Sequence, residues 1–134
     1  MLDTGHLLNS DPTVADEQSA VALVLKRIAQ LSPQVRTRIE GVHLNLSLSG
    51  DYQRQAQAAG IPARFAEHPF DEQFAIARDH VAEIDQHRPF TSPCCQEIIA
   101  ALRPRVVTHE LLMRSRDELE RHLLTQYRAL NGGC

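Results

Sequence analysis

The sequence predicts a mainly α-helical protein, a compact bundle of about five to six helices, and three observations carry that expectation. The hydrophobic fraction is 43% while only 4% is aromatic and Trp is absent, so the core must be built from Leu, Ile, Val and Ala, which favours helix packing over a β-sandwich. Apolar residues recur at helical spacing in several windows. Helix starts are marked by capping side chains followed by proline at Asp11-Pro12, Ser32-Pro33 and Ser92-Pro93.

A chain of 134 residues can bury a core without metal or disulfide staples, as a single unit. Residues 1–10 lack periodicity and are expected as a flexible N-terminal arm, with 11–134 as one helical domain. After Asp11-Pro12, Val14, Val21, Val24, Leu25, Ile28 and Leu31 form one stripe. Ser32-Pro33 ends that helix and opens a second, with Val35 and Ile39 facing back. Val42, Leu44, Leu46 and Leu48 alternate with His43, Asn45, Ser47 and Ser49 between Gly41 and Gly50, which predicts a short strand over 42–48. A lone strand leaves its hydrogen bonds unmet, and the other strand candidate is only Val106-Val107. The segment therefore pairs there, borrows an edge from a partner, or is a frayed helix end.

Asp51 to Ala59 is a polar, alanine-rich helix that Gly60 can cap. Ile61-Pro62 opens a connector through Pro69, and Phe70, Asp71 and Phe74 then resemble a hydrophobic staple on a helix carrying Ala77, Val81 and Ile84 inward. The helix after Ser92-Pro93 runs through Ile98, Ile99 and Leu102 to Pro104. A last helix begins near Thr108, carries Leu112, Leu119, Leu123 and Tyr127, and stops at Asn131-Gly132-Gly133.

Charge and cysteine usage narrow the function. Fourteen Lys and Arg against 17 Asp and Glu give a net charge of -3, which argues against strong direct nucleic-acid binding. The longest apolar run, Ala20 to Leu25, is far short of the roughly 20 residues of a membrane span, and no signal peptide opens the chain. Three cysteines, two adjacent and one terminal, do not make a disulfide framework and point to the cytoplasm.

Contiguous chemical motifs are missing. No phosphate-cradling glycine loop and no Gly-x-Ser-x-Gly elbow around Ser47 or Ser49 occurs. His109-Glu110 begins like a zinc-protease helix, but Met113 stands where the second histidine belongs, and Pro89 places His87 beyond the helix of His80. The carboxylate pairs Asp71-Glu72 and Asp117-Glu118 look like surface charge. Catalytic, cofactor and metal residues are accordingly expected to be absent. Cys94 and Cys95, in the first turn after the cap Ser92, are the candidate reactive thiols.

The block Ala59-Gly60-Ile61-Pro62-Ala63-Arg64-Phe65, followed by Pro69-Phe70-Asp71 and by Ala75 to Asp85, resembles the segment preceding the ATPase core of bacterial and phage helicase loaders of the DnaC and IstB type. With Thr108-His109-Glu110-Leu111-Leu112 the similarity spans residues 59–112, but the Lys-Thr loop expected between Asp85 and Cys94 is missing. The resemblance implies a non-catalytic adaptor without nucleotide hydrolysis, docking on a replicative helicase or a loader through Ile61, Arg64, Phe65, Phe70 and Arg78. Glu97-Ile98, Ala101 to Pro104, Thr108, Glu110, Leu112 and Asp117 to Glu120 are similar instead to the helical, non-catalytic small subunit of adenosylcobalamin-dependent diol and glycerol dehydratases. That likeness, over residues 97–120, implies a much larger enzyme subunit as partner. A thiol-based sensor using Cys94 and Cys95 is a third expectation, and self-association into a homodimer stays open.

Overall fold

The computed structural model describes residues 1–132. Helix dominates, as the composition predicts, but the helices are hung on a small parallel sheet. Three strands, β1 (Leu2–Asp3), β2 (Gly41–Leu44) and β3 (Val106–His109), lie in the order β1-β2-β3. Seven α-helices accompany them among the described residues: α1 (Thr4–Leu8), α2 (Glu17–Gln30), α3 (Pro33–Arg36), α4 (Gly50–Ala59), α5 (Phe70–Ile84), α6 (Gln96–Leu102) and α7 (Arg116–Asn131). The terminal Gly133 and Cys134, part of the expected helix stop and the third thiol, lie outside the described residues.

Register fixes the two faces of the sheet. Leu2 lies beside Val42 and Val42 beside Val107, while Asp3 lies beside His43 and His43 beside Thr108. Because side chains alternate along a strand, Val42 and Leu44 enter the core on one face, and Asp3, His43 and Thr108 point the other way. The core joins Val42 and Leu44 to Val21, Val24 and Ile28 of α2, Ile98 and Leu102 of α6, Phe90 and Ala129. Helices α2 and α6 pack on each other, so both crossovers lie on one face, as same-handed connections between sequential parallel strands require.

The strand expected over 42–48 is thus real over Gly41–Leu44 and pairs with Val106-Val107, the one alternative that keeps its hydrogen bonds within the chain. Leu46 adds an isolated bridge, exchanging backbone hydrogen bonds of 2.8 and 2.9 Å with Arg88.

Several expectations need correction. The arm over residues 1–10 is instead β1 and α1, because its order comes from distant partners. The Thr4 hydroxyl, fully buried, donates to the Asn45 carbonyl (2.6 Å) and accepts from the Asn45 N–H (3.0 Å). Gly5 lies so close that a Cβ there would collide with Asn45 Oδ1. Asp11 does not start a helix; its carboxylate accepts from the Thr13 N–H (3.0 Å) in a turn, and Asp16 caps α2 through a reciprocal bond with Ser19. Thr108 lies in β3, so the last helix begins at Arg116, capped by Ser115.

Helices α4 and α5 form an excursion between β2 and Asp85. Gly60 (φ 70°) ends α4 as predicted, but of Ala77, Val81 and Ile84, expected inward, Ala77 and Val81 are exposed and Ile84 only half-buried, and Phe70 and Phe74 are exposed as well. No residue of α5 is buried, and Ile61 and Phe70 are each 81% exposed.

Candidate metal centre

Three connections converge where the parallel strands end. Asp3 closes β1, and its carboxylate accepts the His6 backbone N–H (3.0 Å), which caps α1 and sets His6 one turn later. His43 lies beside Asp3 in β2. Asp85 and His87 follow α5, and Glu110 follows β3. In open parallel sheets this C-terminal edge is where ligands gather, because each strand-to-helix connection there can present side chains to one place.

The six side chains form two adjoining groups, His6 with Asp85 and His87, and Asp3 with His43 and Glu110, each with donor atoms within 4.8 Å of one another. Asp85 Oδ2 lies 2.8 Å from His87 Nε2 and 3.3 Å from His6 Nε2. His43 Nδ1 lies 2.9 Å from Glu110 Oε2 and 3.4 Å from Asp3 Oδ2. The groups touch through His6, whose Nδ1 is 3.5 Å from Asp3 Oδ2.

Outer contacts orient these donors. Asn9 donates to Asp85 Oδ1 (2.9 Å) and Asn45 to Asp3 Oδ1 (3.3 Å), which leaves the Oδ2 atoms facing the histidines. His87 Nδ1 lies 3.1 Å from the Glu110 carbonyl. A carbonyl only accepts, so Nδ1 carries a proton, and Nε2, which faces the Asp85 carboxylate at 2.8 Å, is the nitrogen that a metal would take after displacing its proton. His87 adopts a left-handed backbone (φ 45°) that turns its ring this way. That conformation costs about 1–3 kcal/mol and is held by the Leu112 N–H donating to the His87 carbonyl (3.0 Å).

Electrostatics suit a cation. Burial pushes the Asp3 carboxyl up, but hydrogen bonds from the His6 backbone N–H and the Asn45 amide, with the His6 charge, hold it below the usual carboxylate range. For His87, burial disfavours the charged ring, but hydrogen bonds to Asp85 and the Glu110 carbonyl, with both carboxylates' charges, raise its pKa above the ordinary value. Glu110 Oε2 is itself buried without a hydrogen bond of acceptable geometry.

Sequence spacing led to an expected absence of metal ligands. Asp3-x-x-His6 and Asp85-x-His87 are short carboxylate-imidazole pairs in plain view, but nothing local joins them to each other or to His43 and Glu110. The signal that could have found them is the period-two placement of His43 beside Asp3 once the strands are paired.

The sequence-predicted residues lie elsewhere. Ile61, Arg64, Phe65, Phe70 and Arg78 all sit on the α4–α5 excursion: Ile61 and Phe70 are exposed, Phe65 is half-buried, and Arg64 and Arg78 pair with Glu67 (2.7 Å) and Asp79 (2.8 Å). Between α4 and α5 runs a groove of about 1050 Å³ with Ala56, Ile61, Phe65, Ile76 and Ile84 in its walls. Cys94 is half-buried, and Cys95 is fully buried in the turn before α6, where burial, Cys94 and Glu17 push its thiol up to about 12. Comparison with family models, with curated proteins and with solved structures returns no match to this chain.

Proposed function

We propose that this chain binds divalent metal, zinc by preference, at the C-terminal edge of its sheet and uses the open coordination positions for metal-assisted chemistry on a small oxygen-bearing substrate. The observation that carries this is the convergence of three carboxylates and three imidazoles, from four separate chain segments, into two sets of three donors. Three protein donors with one position left open is the pattern of catalytic rather than structural zinc. Neighbouring ligands of a tetrahedral zinc lie about 3.3 Å apart, given metal-ligand bonds of about 2.0–2.1 Å; the His6–Asp85 and His43–Asp3 separations of 3.3 and 3.4 Å match that edge, while His87–Asp85 and His43–Glu110, now at hydrogen-bond distances of 2.8 and 2.9 Å, would open slightly around an ion. An all-nitrogen-and-oxygen set without thiolate suits zinc and its first-row neighbours.

A metal so held supplies a Lewis acid and lowers the pKa of bound water to about 7. Within the chain, Asp85, His6 and His87 would hold one ion and Asp3, His43 and Glu110 a second, while Asn9, Asn45 and the Glu110 carbonyl keep the donors aimed. The expectation of a chain without catalytic machinery rests on motifs contiguous in sequence; this proposal rests on residues brought together in space.

Zinc titration of the metal-free chain by calorimetry, with elemental analysis of the dialysed protein, tests the proposal. We expect about two ions per chain at micromolar affinity or better. His87→Ala should remove one and His43→Ala the other, with the helical signal retained. Affinity no better than millimolar, or unchanged stoichiometry in both variants, would remove the basis for a metal centre.

A second proposal retains the loader-like contact surface. It is supported by the exposure of Ile61 and Phe70 on an excursion that contributes nothing to the core. Co-migration with a replicative helicase, lost in Phe70→Asp, is its test; co-purification with a large enzyme subunit would favour the dehydratase-like alternative.

A further inference from the structure

The sheet has a bare face. Both crossovers lie on the side of Val42 and Leu44, and parallel sheets are ordinarily covered on both faces. The opposite face is sorted by chemistry along the strands. Toward their N-terminal end it carries Met1 and Val106, 68% and 56% exposed, either side of Gly41, whose open side is occupied by the Met1 sulfur. Toward the C-terminal end it carries Asp3, His43 and Glu110. An apolar lower layer beneath a polar mouth is the arrangement inside a closed βα-barrel rather than on a solvated surface. Both sheet edges, the outer sides of β1 and β3, also lack a strand partner among the described residues.

We infer that a second copy of this chain covers this face, in a two-fold dimer whose axis runs parallel to the strands. That operation sets β3 of each copy beside β1 of the other with all strands parallel, pairs both free edges at once, and turns the two apolar patches toward each other. The two edges are unlike, and that difference selects the second copy: each edge meets the one it lacks. Helices stay on the outside, as they are in the single chain. The six-donor clusters of both copies then face one mouth, because every strand ends there.

Sedimentation and light scattering across micromolar concentrations test this, with Val106→Asp as the disruptive variant and Phe70→Asp, on the excursion, as the control. We expect twice the chain mass for the unaltered protein and for Phe70→Asp, and the chain mass for Val106→Asp. A unaltered chain that stays monomeric at the highest soluble concentration overturns the inference, as does a dimer dissolved by Phe70→Asp instead. Should Val106→Asp fail to fold, hydrogen exchange decides: amide protection in β3 must fall when the unaltered protein is diluted, and protection independent of concentration rejects the dimer. Because none of these readouts uses metal, failure here leaves the metal centre standing, and loss of the metal centre leaves the dimer standing.

Discussion

Single residues set the chemistry of the cluster, and its pH dependence follows from one histidine. In the metal-free chain the His87 pKa is raised. Its protonation therefore stabilises the fold below the ordinary histidine value of about 6.5, and that contribution is lost as pH rises through the raised native value. Zinc works in the opposite sense, since it needs the Nε2 lone pair and must displace that proton. We expect the zinc-induced rise in melting temperature to be much larger at about pH 8 than at about pH 5.5, and thermal melts in matched buffers read this directly. An equal rise at both would mean that His87 is no ligand. Cys95 illustrates the reverse situation, a group whose chemistry burial suppresses. With its thiol at about 12, only about one molecule in ten thousand is a thiolate at pH 8. In a Cys94→Ser variant, alkylation at Cys95 should be absent from the folded chain and complete in denaturant. Rapid native labelling, read by peptide mass, would restore Cys95 as a thiol sensor.

At the level of elements, the excursion separates what sequence could foresee from what it could not. Gly60 as the end of α4 and the span of α5 were legible, because caps and helical periodicity are local. The direction in which Phe70, Phe74 and Val81 face was not, since a periodic apolar stripe says that a helix has an apolar face and nothing about whether the chain covers it. The same limit applies at the start of the chain. Two strand residues and five helical ones are too few to show a period, and β1 and α1 take their order from Asn45 and His43, some forty positions away. Since α5 buries no residue, its unfolding exposes little new apolar surface and should occur locally, well below the free energy of global opening. Limited proteolysis is expected to cut first between Gly60 and Pro69, leaving the sheet with α2, α6 and α7 as a resistant remainder. A first cut within α2 or α6 would contradict this assignment of the excursion to the low-stability part of the molecule.

Across the whole molecule, what joins the helix layer to the sheet at its centre is a polar residue. Gln126 of α7 is fully buried, and no local pattern distinguishes it from the other polar positions of that helix. Its amide donates to the Leu44 carbonyl (2.9 Å) at the end of β2 and to His109 Nδ1 (2.8 Å) at the end of β3. Its oxygen accepts the Phe90 N–H (3.0 Å) from the segment between Asp85 and α6. One side chain thus ties together the ends of the two longer strands and the chain that follows Asp85 and His87, on the helix side of the same edge where the metal donors sit. Replacing it with leucine preserves volume but strands a buried carbonyl and a buried N–H, at a cost of about 3 kcal/mol. Gln126→Leu should therefore lower the denaturant midpoint without altering the slope of the transition, and should weaken zinc binding although it contacts no donor among the six. Gln126→Glu separates the two effects, because it keeps the acceptor for Phe90 while losing the amide donors to Leu44 and His109. If the strand ends rather than the Phe90 segment hold the donors in place, the glutamate variant will bind zinc as poorly as the leucine one; zinc binding restored by glutamate would assign that role to the Phe90 segment instead.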